Sequence, residues 1–264
     1  MREVIPLHLT AICHYAYVTI TVIMLLNFLT RIRLTHILFL LFIGFLLIVS
    51  FSPGLVFTSG ALTLFSVNSF LYGFYIAPIL GAQKGRIEEL HKIVRSESNA
   101  IFAMVLGLKK LPKEIRNEIQ EMFISYIKHT TGNKNPLKSE EDYERLITYC
   151  LEYEGPYQPE IDKLLDRIVA NQQNRTNFSM QIANRVYSNE WMIMLVLFSI
   201  TLSFVVLLNA GSNYVYKVLA ALLATGLSML LVILLKMSTL THKKALQMWE
   251  PYKKLVDSHF YRID

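Results

Sequence analysis

Long stretches without a charged side chain constrain this chain more than any other feature. Residues 4–30, 34–83, 191–216 and 218–235 contain no Asp, Glu, Lys or Arg. About 20 apolar residues suffice for a helix to cross the hydrocarbon core of a bilayer. In lipid each backbone N–H and C=O must be satisfied within the segment, so such runs become helices. Ser52-Pro53-Gly54 interrupts the second run, a turn signal. The division gives about five spans: 7–29, 34–51, 55–80, 191–209 and 214–235, with Gly211-Ser212-Asn213 as the last turn. The first carries His8, His14 and several Thr. It either spans or lies in the interface, and the second placement leaves four spans. With 53% hydrophobic residues, the fold class that follows is an all-α integral membrane protein with a helical cytoplasmic domain continuous with two of the spans.

The charges lie elsewhere. Residues 81–189 hold sixteen Lys or Arg and fifteen Asp or Glu. That segment is therefore almost neutral, and the net charge of +6 comes from the membrane flanks and the tail. Cytoplasmic flanks collect Lys and Arg. Arg31 and Arg33, segment 81–189 and the tail from Lys236 all sit on one side by this rule. The expected divisions are 1–80 as an N-terminal membrane region, 81–189 as a helical cytoplasmic domain, 190–236 as a membrane hairpin and 237–264 as a cytoplasmic tail. The expected location is a cell membrane, multi-pass, with the C-terminus cytoplasmic. Juxtamembrane basic residues answer to anionic headgroups, so membrane lipids are expected partners and nucleic acid is not. The N-terminal run lacks a basic leading region, and Arg31 and Arg33 stand where a cleavage site would be, so it reads as retained. Cys13 and Cys150 lie far apart, one in an apolar run and one in the charged segment, which argues against a disulfide framework.

Segment 81–189 reads as helix throughout. Ile87, Leu90, Val94, Ile101, Val105 and Leu108 recur at helical spacings, and this helix is expected to continue from the third span. Pro112 marks a helix start, with Ile115, Ile119, Met122, Phe123 and Tyr126 on its apolar face. Residues 132–138 read as a loop, and Ser139 with Asp142 as a capping pair. Tyr143, Leu146, Ile147, Cys150 and Leu151 share the next face. From Pro159 one helix is expected to run into the fourth span, about 75 Å at 1.5 Å per residue. Its apolar positions are Ile161, Leu164, Leu165 and Ile168, then Phe178, Ile182 and Val186. The polar stretch 171–177 lies between them.

The segment SESNAIFAMVLGLKKLPKEIRNEIQEMFISYIKHT, residues 96–130, resembles the bestrophin-like family of bacterial multi-span membrane proteins. That family shows a Glu-x-Asn-Ala-like helix, a Leu-Pro break and a helix containing a Tyr. The matching residues are Glu97, Asn99, Ala100, Leu111, Pro112 and Tyr126. The polar helix entering a paired C-terminal hairpin, residues 174–235, is also similar. The chain departs in ending its last span with KMSTLTHKK, where the family often has an acidic-Arg-Pro-Phe sequence, and in carrying an extra apolar run. The resemblance implies kinship to anion channels and a bacterial inner membrane.

Ser59, Thr63, Ser66, Ser69 and Gly73 form one small, polar face of the third span, with Asn68 beside it. In a homo-oligomer this face would line a pore; close helix packing is the alternative use of small residues. Gln172 and Arg175 are candidates for a cytoplasmic vestibule if the polar stretch faces an axis, and are merely solvated if it faces water. Ala220, Ala224 and Ser228 have the small-xxx-small spacing of helix packing. His14 is a lone intramembrane imidazole, open to a proton relay or to a structural hydrogen bond. Two glycosylation acceptor motifs, at Asn174 and Asn177, face the wrong side to be used. No spacing of His, Cys, Asp or Glu makes a metal site, and no nucleophile, phosphate-loop or zinc-protease motif is present. No enzyme activity and no cofactor are expected. The expected function is a homo-oligomeric membrane channel or pore-forming protein, with anions as the implied cargo. The alternative is a non-conducting scaffold or sensor that recruits a cytoplasmic protein partner, as in a bacterial defence or stress system.

Overall fold

A computed structural model describes residues 30–132, 136–208 and 213–257. The expected first span, His14 and Cys13 lie outside these described residues. Among the described residues four helices are long and apolar enough to cross a membrane, and no regular strand occurs. The helices are α1 (Leu34–Phe51), α2 (Ser59–Gly107), α3 (Lys113–Gly132), α4 (Pro136–Glu152), α5 (Gln158–Ala183), α6 (Ser188–Leu207), α7 (Tyr214–Ser238), α8 (Lys243–Leu246) and α9 (Glu250–Asp257). They form two compact units, one of residues 1–84 and 185–242, the other of residues 85–184 and 243–264. Helix α2 contributes to both.

In the first unit α1 packs chiefly on α7. Ala221, Ala224, Thr225 and Ser228 of α7 are buried, as suits small side chains that let helix backbones approach. Tyr72, Ile76, Val186, Met194 and Leu234 form a second apolar cluster. Leu55 N donates to Leu207 O at 2.8 Å, so the loop after α1 is pinned to the end of α6. Lys236 is buried and donates to the carbonyls of Thr30 and Ile32 at 2.9 and 2.7 Å. Helix α2 tolerates Pro78 as membrane helices often do.

The second unit packs the far half of α2 against α3, α4, α5 and the C-terminal segment. Val94, Ile101, Met104, Val105 and Leu108 meet Ile119, Phe123, Tyr126, Tyr143, Leu146, Cys150, Ile161, Leu164 and Ile168. All of these except Met104 are positions that helical periodicity marks as apolar. Leu151 departs from that pattern: it is exposed, since Cys150 occupies the inward place at the end of α4.

Three local expectations are corrected. The helix from Pro159 does not run unbroken into the fourth span. α5 ends at Ala183, Asn184 leaves helical geometry at ψ 75°, and α6 starts at Ser188. Arg86 explains the stop, since its guanidinium takes the carbonyls of Gln181 at 2.6 Å and Ile182 at 2.9 Å; a cation suits a helix C-terminus. Tyr187 N donating to Glu190 Oε2 at 3.0 Å then opens α6. Second, α4 begins at Pro136, where proline is at home in a first turn. Ser139 is therefore inside the helix and does not cap it; Asp142 instead accepts from Ser125 at 3.2 Å and pairs with His129. Third, residues 238–257 are more than a tail. After a turn in which Leu240 takes a positive φ of 55°, α9 sends Tyr252 and Leu255 into the core of the second unit.

Candidate functional site

Two groups of polar side chains stand out, one in each unit. In the first, Asn68 Nδ2 donates to Thr201 Oγ1 at 2.7 Å and Leu197 O at 3.0 Å. Tyr72, one turn on, donates to Leu227 O at 3.2 Å. An amide in apolar surroundings must find such partners, and these bonds fix which face of α2 turns inward. Asn68 therefore belongs to the contact between helices. Ser59, Thr63, Ser66 and Gly73 are exposed on the opposite face, together with Phe70 and Phe74, whose rings stack at 6.0 Å. The Thr63 and Ser66 hydroxyls donate back to Ser59 O and Leu62 O, each at 3.0 Å. Ser69, between the faces, has a buried oxygen without a partner. Among the described residues nothing packs on the outward face. Ala224 and Ser228 are buried and Ala220 is half-buried.

The second group is the polar heart of the other unit. Sequence periodicity makes residues 171–177 look like a gap in the apolar stripe of α5. Asn171 and Arg175 are in fact the next buried members of that stripe after Ile161, Leu164 and Ile168. Their polar nature is matched by partners on other helices. Arg175 lies over the Tyr143 ring at 3.8 Å and the Tyr126 ring at 5.4 Å. It also pairs with Glu140 at 2.7 Å. Tyr126 donates to Glu97, and Tyr143 donates to Ile168 O at 2.6 Å. Gln172 and the Asn177 region face outward or are half-exposed. Of the two vestibule candidates, then, only Gln172 is exposed; Arg175 is 7% exposed and its charge is spent inside the unit.

Glu97 is 1% exposed. Burial raises its pKa, against the lowering effects of Tyr126, Tyr252, Arg175 and Asn171 around it. Burial also pushes the phenols up, with the charge of Glu97 adding to the effect: Tyr126 and Tyr252 rise well above the ordinary range. Tyr143 rises to about 12, chiefly through burial. The Tyr252 hydroxyl and the Asn171 amide nitrogen complete no hydrogen bond of good geometry. Such incompletely satisfied networks are energetically sensitive, because low dielectric amplifies each gain and loss. Glu97 and Tyr126 are visible in sequence through the motif at 96–130. Tyr252 carried no periodic signal, since α9 has only eight residues.

Among the described residues no three His, Cys, Asp or Glu side chains converge as metal ligands would. The arrangement as a whole binds helices to one another and holds a buried carboxyl near a guanidinium. No protein-family model, no curated protein and no solved structure matches the chain, so the bestrophin-like resemblance rests on its motif residues.

Proposed function

We propose that this chain is a multi-pass membrane protein that assembles as a homo-oligomeric channel, with its second unit and C-terminus on the cytoplasmic side. The supporting observation is the division of α2 into two faces. Asn68 and Tyr72 commit one face to the chain's own helices, and among the described residues Ser59, Thr63, Ser66 and Gly73 are left exposed on the other. Hydroxyls on an axis replace part of an ion's hydration shell. Phe70 and Phe74 share that face, so the passage has an apolar constriction beside its hydroxyl turns, and such constrictions gate by dewetting. Anions are the cargo that the bestrophin-like motif residues imply. The test is ion flux into liposomes carrying purified protein, with the oligomer measured in the same detergent. Thr63→Ala and Ser66→Ala should change flux, and a cysteine at position 66 should cross-link between copies. A monomer, or an inserted oligomer that passes no ion, ends the proposal.

A second reading is a non-conducting sensor or scaffold that recruits a soluble partner. It is favoured by the polar heart of the second unit, which links Glu97, Tyr126, Arg175 and Tyr252 from four helices and so gives that unit an element sensitive to protonation. Co-purification of a stoichiometric partner with the full chain, lost on Tyr252→Ala without loss of membrane insertion, would select it.

A further inference from the structure

The C-terminal segment also closes one wall of a cavity. Between the second half of α2 and α9 lies a space of about 660 Å³, within the size range of small-molecule sites. Helix α2 lines it with His91, Arg95 and Asn99, α9 with Lys254, and Phe102 and Leu255 supply apolar wall. A smaller hollow of about 380 Å³ shares His91, Arg95 and Asn99. His91 Nε2 lies 2.7 Å from Lys244 O, so this nitrogen carries the hydrogen and ties the segment to α2.

The charges in this cavity are unequally satisfied. Lys254 pairs with Glu250, also on the wall, at 2.9 Å, and the neighbouring Lys92 with Glu89 at 3.4 Å. These are exposed pairs within one helix turn, the kind that contributes little and yields to a competing anion. Arg95 has no acidic partner among the described residues. A guanidinium with no ion-pair partner among the described residues, beside a mixed polar and apolar space, matches a phosphate on an organic body. Arginine forks two phosphate oxygens at once.

We propose that this cavity binds a small phosphorylated molecule. Arg95 grips the phosphate, Lys254 and Asn99 add a charge and a hydrogen bond, and Phe102 with Leu255 receives the apolar part. Occupancy ties α9 to α2, and α9 carries Tyr252 into the polar heart beside Glu97. The bound ligand therefore favours the docked C-terminal segment. This site does not depend on whether the chain conducts ions.

The test uses the full chain, in detergent and in nanodiscs. The probes are inorganic phosphate, glycerol 3-phosphate and AMP in detergent. Phosphatidylglycerol nanodiscs are compared with phosphatidylcholine nanodiscs. Saturable binding by calorimetry and a raised unfolding midpoint are expected for at least one probe. Arg95→Ala should weaken it at least tenfold and Lys254→Ala several-fold, while Arg145→Ala on exposed α4 surface leaves it unchanged. Arg95→Ala should match the wild type in midpoint without ligand, which separates lost binding from lost folding. An Arg95-dependent effect of the soluble probes assigns a free metabolite; one confined to phosphatidylglycerol assigns a lipid headgroup. If no probe binds, or if Arg95→Ala binds as the wild type does in every arm, the proposal is overturned. Liposome flux is read separately, so failure of the channel reading leaves this result standing.

Discussion

Asn68 on α2 and Thr201 on α6 are joined by a hydrogen bond of 2.7 Å, amide nitrogen to hydroxyl oxygen, in the apolar part of the molecule. Thr201 is itself 1% exposed and donates back to Leu197 O at 2.9 Å. The pair closes a small polar circuit that lipid could not satisfy. Asn68→Leu should therefore lower the unfolding midpoint in detergent, by about 0.5–2 kcal/mol in free energy. It should leave the ion selectivity of any conductance unchanged, because this face of α2 is turned inward. A double-mutant cycle with Thr201→Val measures the coupling.

Glu97 gives a pH dependence with a definite sign. Its folded pKa is raised above the ordinary 4.5, mainly by burial. The folded chain therefore holds this proton more tightly than the unfolded chain. Stability from this group is fully present below about 4.5 and is lost as pH rises through the raised value. Glu97→Gln removes the titration. Its unfolding midpoint should be flat over the interval where the wild type declines, so the two curves diverge as pH rises. Parallel curves from pH 4 upward would show that Glu97 is not the group responsible.

Arg86 holds the end of α5 through two carbonyls. Hydrogen bonds to a charged donor contribute roughly 1.5–3 kcal/mol. Arg86→Ala should cost on that order and fray the last turn of α5. Arg86→Lys should recover only part, since an ammonium cannot fork. Amide hydrogen exchange at residues 180–184 reads the effect locally.

Cys150 is fully buried, and burial raises its thiol to about 11. The thiolate is the reactive form. Iodoacetamide at pH 8 should modify Cys150 only after denaturation, as followed by peptide mass spectrometry. Ready labelling in the native protein would mean that α4 opens locally.

Much of the fold is written in one dimension. Uncharged runs locate α1, the first part of α2, α6 and α7, the helices long and apolar enough to cross a membrane. Spacings of three and four mark Leu90, Val94, Ile101, Ile119, Phe123, Leu146 and Ile161, all of them buried. The small residues of α7 are legible for the same reason. Periodicity also misleads at Asn171 and Arg175, because a stripe is read by polarity, and these two positions are polar and inward.

What decided those positions is contact between residues far apart in the chain. Arg175 is buried because Tyr126, Tyr143 and Glu140 converge on it, and α5 stops because Arg86 arrives from nearly a hundred positions earlier. Tyr252 enters the core from a helix too short to announce itself. Local sequence sets which segments prefer lipid or helix, since those preferences are summed residue by residue. Which polar group finds its partner is a property of the assembled core, where desolvation is tolerated only when the other side chain is already in place.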